Sequence, residues 1–152
     1  MTKNKYKEIC DKAFNYENLE VAFEKTLKGS KKYKRDSFYF RTYLEYNLVK
    51  LWKELRDGTY QVGGYNQFYV YEPKKRKVNA PKYRDKVVQF AVHEVFKVIC
   101  EDKFIDNSYA CRENKGSHRA DKKVQKNLRL CKWKYGDGWI VKLDVEKFFY
   151  SI

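Results

Sequence analysis

Apolar positions recur along this chain with two different periods. Leu19, Phe23 and Leu27 fall four residues apart, which predicts a helix starting near Asn18 and running to Ser30. Phe40, Leu44, Leu48, Leu51 and Leu55 form a longer stripe. Asp36 and Ser37 stand ready as caps and Gly58 as the stop, so one long helix is predicted there. The stripe reads as core, because few other elements are available to bury it. From Phe68 to Ala80 the period drops to two, and Phe-Tyr-Val-Tyr-Glu, Pro-Lys-Lys-Arg and Lys-Val-Asn-Ala read as a β-hairpin with a basic turn. Val88, Ala91 or Val92, Val95 and Val98 or Ile99 restore the helical period from Arg84 to about Lys103, with Tyr83 to Asp85 at its start. Ala120, Val124, Leu128 and Cys131 predict the inner face of another helix. Ile140, Val141, Leu143 and Val145 around Lys142 and Asp144 predict a buried strand between Gly138 and the aromatic pair Phe148 and Phe149. The fold class expected is α+β.

Composition sets the partner. The chain has 152 residues and a formal net charge of +14, which calls for an anionic partner, most simply nucleic acid. The charge is concentrated. Glu72 to Lys86 carries seven basic and two acidic residues, and Arg112 to Lys134 carries nine basic and two acidic. Those two segments hold a net +5 and a net +7, the footprint of a groove for a phosphate backbone. No apolar stretch approaches the roughly 20 residues of a membrane span, and the amino terminus has no signal-peptide core, so a cytoplasmic location is expected. Cys10, Cys100, Cys111 and Cys131 include no Cys-x-x-Cys pair. Reduced thiols are therefore the default, and a zinc site that uses His118 lacks the close ligand spacing such sites favour.

Asp144 is the chemical focus. A carboxylate on an otherwise buried strand must find a cation or several donors. A divalent metal would serve, and so would a strand cap or a pairing with Lys147. The surrounding Leu-Asp-Val-Glu-Lys-Phe-Phe-Tyr-Ser-Ile resembles the first palm motif of reverse transcriptases. Two upstream stretches resemble the blocks that precede it in that family: Pro81-Lys-Tyr-Arg-Asp-Lys-Val-Val-Gln-Phe-Ala91, and Asn107-Ser-Tyr-Ala-Cys-Arg-Glu-Asn-Lys-Gly-Ser-His-Arg-Ala120. All three occur in the family's order and cover roughly residues 65 to 152. The wording is similar to that of bacterial group II intron and diversity-generating retroelement enzymes.

The resemblance implies a right-hand polymerase fold, divided into a helical extension over residues 1–64, fingers over 65–138 and the start of the palm over 139–152. The lack of any internal repeat or Gly/Ser- or Pro-rich linker predicts that these form one compact unit. It implies that Asp144 and the carbonyl of Val145 hold Mg²⁺. It further implies that the amides of Lys147 and Phe148 face a deoxynucleoside triphosphate, and that Phe149 excludes a ribose 2′-hydroxyl. From sequence alone, Phe149 is equally a core residue beside Phe148. Lys74, Lys75, Arg76 and Lys77 of the hairpin, together with Arg84, Arg112 and Lys115, are the expected template and triphosphate contacts. Solubility of an exposed turn is the alternative for the four hairpin residues, and pairing with Asp85 or a helix carboxylate is the alternative for Arg84. The partners implied are an RNA template, a DNA or RNA primer and the remaining palm and thumb.

The ending departs from the family pattern. The chain stops eight residues after Asp144 and contains no Tyr-x-Asp-Asp. Two-metal phosphoryl transfer needs several oxygen ligands to hold ions about 3.5–4 Å apart. An amino-terminal fragment, inactive alone, is the expectation. A stand-alone or degenerate nucleic-acid-binding protein without catalysis is the alternative.

Overall fold

A computed structural model describes residues 3–28, 35–146 and 148. Six helices and one hairpin make up the described elements. They fall into two compact units, Met1–Lys103 and Phe104–Ile152. The architecture is mixed helix and antiparallel sheet, as the two hydrophobic periods predict.

In the first unit, α1 (Lys3–Ala13) and α2 (Tyr16–Thr26) are joined by a tight corner. Asn15 caps α2 by accepting from the Asn18 amide at 2.6 Å, satisfying one of the N–H groups that a helix start leaves free. The predicted start near Asn18 therefore lies slightly too late. The Asn18 side chain instead donates from Nδ2 to the carbonyls of Ala13 at 2.8 Å and Ala91 at 3.0 Å, locking the corner onto α5 (Tyr83–Glu101).

The predicted long helix is two helices, α3 (Arg35–Thr42) and α4 (Leu44–Arg56). Tyr43 sits between them at φ −121° and ψ 47°, outside helical geometry. The break is tolerated because the Asn47 side chain donates to the Phe40 carbonyl at 3.0 Å, a group that loses its helical partner there. The apolar stripe continues across the break: Leu48 and Leu51 are buried, while Phe40, Leu44 and Leu55 pack against them from the edge. Gly58 follows the cap residue Asp57 at φ +69°, the left-handed geometry that ends helices and that glycine adopts without strain.

Leu19, Ala22 and Phe23 of α2, Leu48 and Leu51 of α4, and Val87, Val88 and Ala91 of α5 form the core. Full burial of each large aliphatic side chain contributes about 1.5–3 kcal/mol. Rings seal one edge, with Phe23 stacked on Phe40 at 5.8 Å and Phe40 tilted against Tyr83 at 5.3 Å. Thr26 is fully buried, and its hydroxyl bonds both the Phe23 carbonyl and the Tyr83 hydroxyl.

β1 (Tyr65–Val70) pairs antiparallel with β2 (Arg76–Pro81), with Phe68 opposite Val78 and Tyr69 opposite Lys77. In the second unit, α6 (Ser117–Tyr135) ends at Gly136, whose N–H bonds the Lys132 carbonyl at 2.9 Å. None of its residues is buried. Val124 and Leu128, expected on an inner face, are exposed.

The buried strand expected around Asp144 is not formed. Among the described residues, 137–145 join no ladder, and Trp139 and Leu143 are 98% and 88% exposed. An apolar run becomes a buried strand only when a neighbouring strand takes up its N–H and C=O groups. The only described sheet is the hairpin.

Candidate nucleic-acid interface

The hairpin is an exposed cationic blade. Every residue of β1 is exposed, and so are Lys74, Lys75, Arg76 and Lys77 at the turn and the start of β2. The two faces differ. On the face carrying Phe68 and Val70, the cross-strand partners Val78 and Ala80 are partly covered, and Phe68, Ala80, Tyr83 and Phe90 line a cleft of about 490 Å³ with the start of α5. On the face carrying Tyr65, Gln67 and Tyr69, Asn79 opposite Gln67 and Lys77 opposite Tyr69 are open and only Pro81, opposite Tyr65, is partly covered, while Lys75 Nζ lies 5.0 Å from the Tyr69 ring centroid and 5.8 Å from that of Tyr71.

Arg84 stands at the foot of this blade, in the first turn of α5. Its guanidinium pairs with Glu54 of α4 and rests over the Tyr60 ring at 5.2 Å, while its Nε lies 3.7 Å from Asp85 Oδ1. A helix carboxylate thus holds Arg84 in the arrangement named as the alternative for it. Arg84 also lines a second cleft of about 490 Å³ with Asp36, Tyr39, Tyr43, Asn47 and Lys82.

Asp85, considered from sequence only as a partner for Arg84, has a structural role of its own. It is 2% exposed, and its two carboxylate oxygens accept from the Tyr60 hydroxyl at 2.6 Å and the Gly63 amide at 2.9 Å. A buried anion needs such donors, and its place in the first helical turn adds a favourable dipole term. Burial, followed by the hydrogen bond to Asp85, pushes the Tyr60 phenol well above its ordinary pKa of 10.0. Tyr60 therefore stays protonated and keeps donating. Gly63 is required at this contact, since a Cβ there would lie 2.8 Å from Asp85 Oδ2 and 3.2 Å from Lys82 Cγ. The neighbouring Gly63-Gly64 pair was the available signal: a backbone that makes close approaches is often glycine.

In the second unit the other expected anion contacts are engaged locally. Arg112 Nη1 donates to the carbonyls of Ile105 at 2.9 Å and Ser108 at 3.1 Å, and its guanidinium lies over Phe104. Lys115 Nζ donates to Asp106 through both its backbone carbonyl and its carboxylate, the latter at 3.1 Å. The hydrogen bond and charge of Lys115 hold the Asp106 carboxyl below its ordinary value. Beside this pair, Tyr109, Arg119, Lys122, Lys123 and Lys126 line an open cleft of about 360 Å³, so α6 carries a cationic stripe.

Asp144 is exposed, and its Oδ1 accepts from the amide of Val145 at 3.0 Å. Among the described residues no group of three or more His, Cys, Asp or Glu side chains gathers to hold a metal. The residues present therefore do not by themselves fit a two-Mg²⁺ centre. Phe148 is about half exposed, while Lys147 and Phe149 lie outside the described residues. All four cysteines are free thiols. Among the described residues no helix is long and apolar enough to cross a membrane.

The chain is, in class, an α+β polypeptide whose exposed cations gather on one hairpin and one helix. No family model matches it. It is similar to the Group II intron-encoded protein LtrA of Lactococcus lactis subsp. cremoris, and equally to that of strain MG1363, at 28% identity over 111 residues. The match covers 71% of this chain and 18% of each relative. The chain thus spans under a fifth of the length of the curated relatives it matches. At this identity the likeness is a distant one to part of that intron-encoded protein.

Proposed function

We propose that this chain is the fingers region and first palm motif of an RNA-directed DNA polymerase of the group II intron type. In this reading it binds template and primer and contacts the incoming deoxynucleoside triphosphate as part of a larger catalytic assembly. The likeness to LtrA over 71% of the chain carries the proposal, and the ordered motifs and the cationic hairpin support it. Lys74, Lys75, Arg76 and Lys77 are the anion contacts in the most open position. Arg84, Arg112 and Lys115 begin from local partners, and a phosphate would have to displace those partners or add to them. Asp144 supplies one carboxylate; Mg²⁺ binding at catalytic geometry requires further carboxylates, and none gather with it among the described residues. The polypeptide alone therefore does not extend a primer.

The test is filter binding of the purified chain to RNA–DNA hybrid and to duplex DNA, with primer extension run alongside. Tighter binding of hybrid, an affinity that falls steeply with salt, and no extension are expected. Extension that Asp144→Ala abolishes would overturn the claim of inactivity. Equal affinity for the two duplexes would favour a nucleic-acid-binding protein without chemistry, and salt-insensitive, weak binding would remove both readings.

A further inference from the structure

The open face of the hairpin combines features that the basic turn alone does not explain. Alternate residues of an antiparallel strand point to one side and stand about 6.8 Å apart. That places Tyr65 and Tyr69 on one face of β1, and the position of Lys75 over both rings puts Tyr71 on the same side as Tyr69. The opposite face of the hairpin lines a cleft with α5, while this face is open, with Tyr69 52% and Tyr71 67% exposed. Exposed tyrosines in a row cost solubility, and no apolar neighbour covers them.

We propose that Tyr65, Tyr69 and Tyr71 form a stacking platform for the bases of a single-stranded nucleic acid. The proposal rests on the polymerase reading above and assigns this face to an unpaired strand. The chemistry is complementary on both counts. Tyr69 and Tyr71 stand about 6.8 Å apart, twice the ~3.4 Å rise per nucleotide of a stacked strand, so each can meet a base. Tyr65, with Gln67 between, stands about 13.6 Å from Tyr69 and can meet one further along. Lys75 and Lys77, on the same side, supply the cations that track the phosphates. Because every base has a π-face, such a platform is tolerant of sequence, as a surface that must pass an arbitrary strand has to be. Lys75 already makes cation–π contact with both rings, and a stacked base would move its ammonium outward onto a phosphate.

The experiment uses the whole 152-residue chain and a fluorescein-labelled oligouridylate of roughly 12 nucleotides, with a blunt RNA–DNA hybrid of the same length as control. Binding is read by anisotropy. Tyr69→Ala with Tyr71→Ala is expected to weaken oligouridylate binding by tenfold or more, while hybrid binding changes by less than about twofold. Tyr69→Phe with Tyr71→Phe, which keeps both ring faces, is expected to restore it. The slope of log affinity against log salt should be unchanged in the tyrosine variants and should fall by about 1.4 in Lys75→Gln with Lys77→Gln. Unchanged oligouridylate binding in the alanine variant, or equal losses on oligouridylate and hybrid, overturns the platform. Failure of the unsubstituted chain to bind either probe overturns the polymerase reading as well, so the two failures are distinct. The residues are exposed, and an unchanged circular dichroism spectrum confirms that each variant is folded.

Discussion

Replacing Asp85 by alanine should destabilise the first unit by releasing the loop that its carboxylate holds to α5. The carboxylate holds the segment between α4 and β1 to the first turn of α5 through the Tyr60 hydroxyl and the Gly63 amide. Hydrogen bonds to a charged group contribute roughly 1.5–3 kcal/mol each. Alanine would leave the Gly63 N–H without its acceptor, whereas the partly buried Tyr60 hydroxyl can turn partly to water. Removing the anion also removes the cost of burying it, so the net loss should be about 2–4 kcal/mol. That is a large share of the 5–15 kcal/mol of a typical domain. Asp85→Asn should be nearly as damaging, because an NH₂ group would replace one acceptor opposite a donor. Tyr60→Phe should cost about 1.5–3 kcal/mol, since it takes one donor from the buried carboxylate. Urea unfolding followed by far-ultraviolet circular dichroism reads each loss from the midpoint. In the double variant the two losses should fall short of additive by at least about 0.5 kcal/mol. A loss below about 1 kcal/mol for Asp85→Ala, or strict additivity with Tyr60→Phe, would show that the carboxylate does not tie the loop down.

Three further outcomes follow from the same structure. Gly63→Ala should destabilise by about 1–3 kcal/mol, since its Cβ would meet Asp85 Oδ2 at 2.8 Å, and this loss should shrink in the Asp85→Ala background when both are unfolded in urea. Burial raises the Glu94 carboxyl, but the hydrogen bond and charge of Lys25 bring it below its ordinary 4.5. A depressed carboxylate stabilises the fold above its unfolded value and loses that contribution as pH falls from 4.5 through the lower folded value. Glu94→Gln should therefore cost about 0.2–1 kcal/mol at pH 7 for this partly exposed pair, and thermal melts of the two proteins should converge in acid. Finally, amide hydrogen exchange should be much faster in α6, which has no buried residue, than in the Val87 to Ala91 turn of α5. Equal protection of the two helices would contradict the packing described.

Much of the first unit was legible because its local and tertiary signals agree. Val88 and Ala91 announce the α5 core at helical spacing, and the hairpin combines a two-residue period with a Pro-Lys-Lys-Arg turn. The break at Tyr43 was not legible, because Phe40, Leu44 and Leu48 hold the helical period across it. Only the side chain of Asn47, bonded seven residues back, reveals where the backbone turns. The run around Asp144 has the composition of a strand, but strand formation depends on an edge contributed by other residues, which no local pattern encodes. At the candidate site the basic residues were visible one by one, yet their partners were not. Glu54 lies 30 residues from Arg84 and Asp106 lies nine from Lys115, and nothing in the spacing of either pair marks it.

The double hydrogen bond of Asn18 sets a schedule for synthesis. Its second acceptor, Ala91, lies 73 residues further along the chain, and the core of α2 is likewise completed by Val87 and Val88 of α5. At translation rates of about 5–20 residues per second, α1 and α2 wait roughly 4–15 s before their partner is made. Throughout that interval Leu19, Ala22 and Phe23 have no α5 to cover them, so the ribosome-bound nascent chain presents an apolar helix face that chaperones can engage and that the finished protein hides.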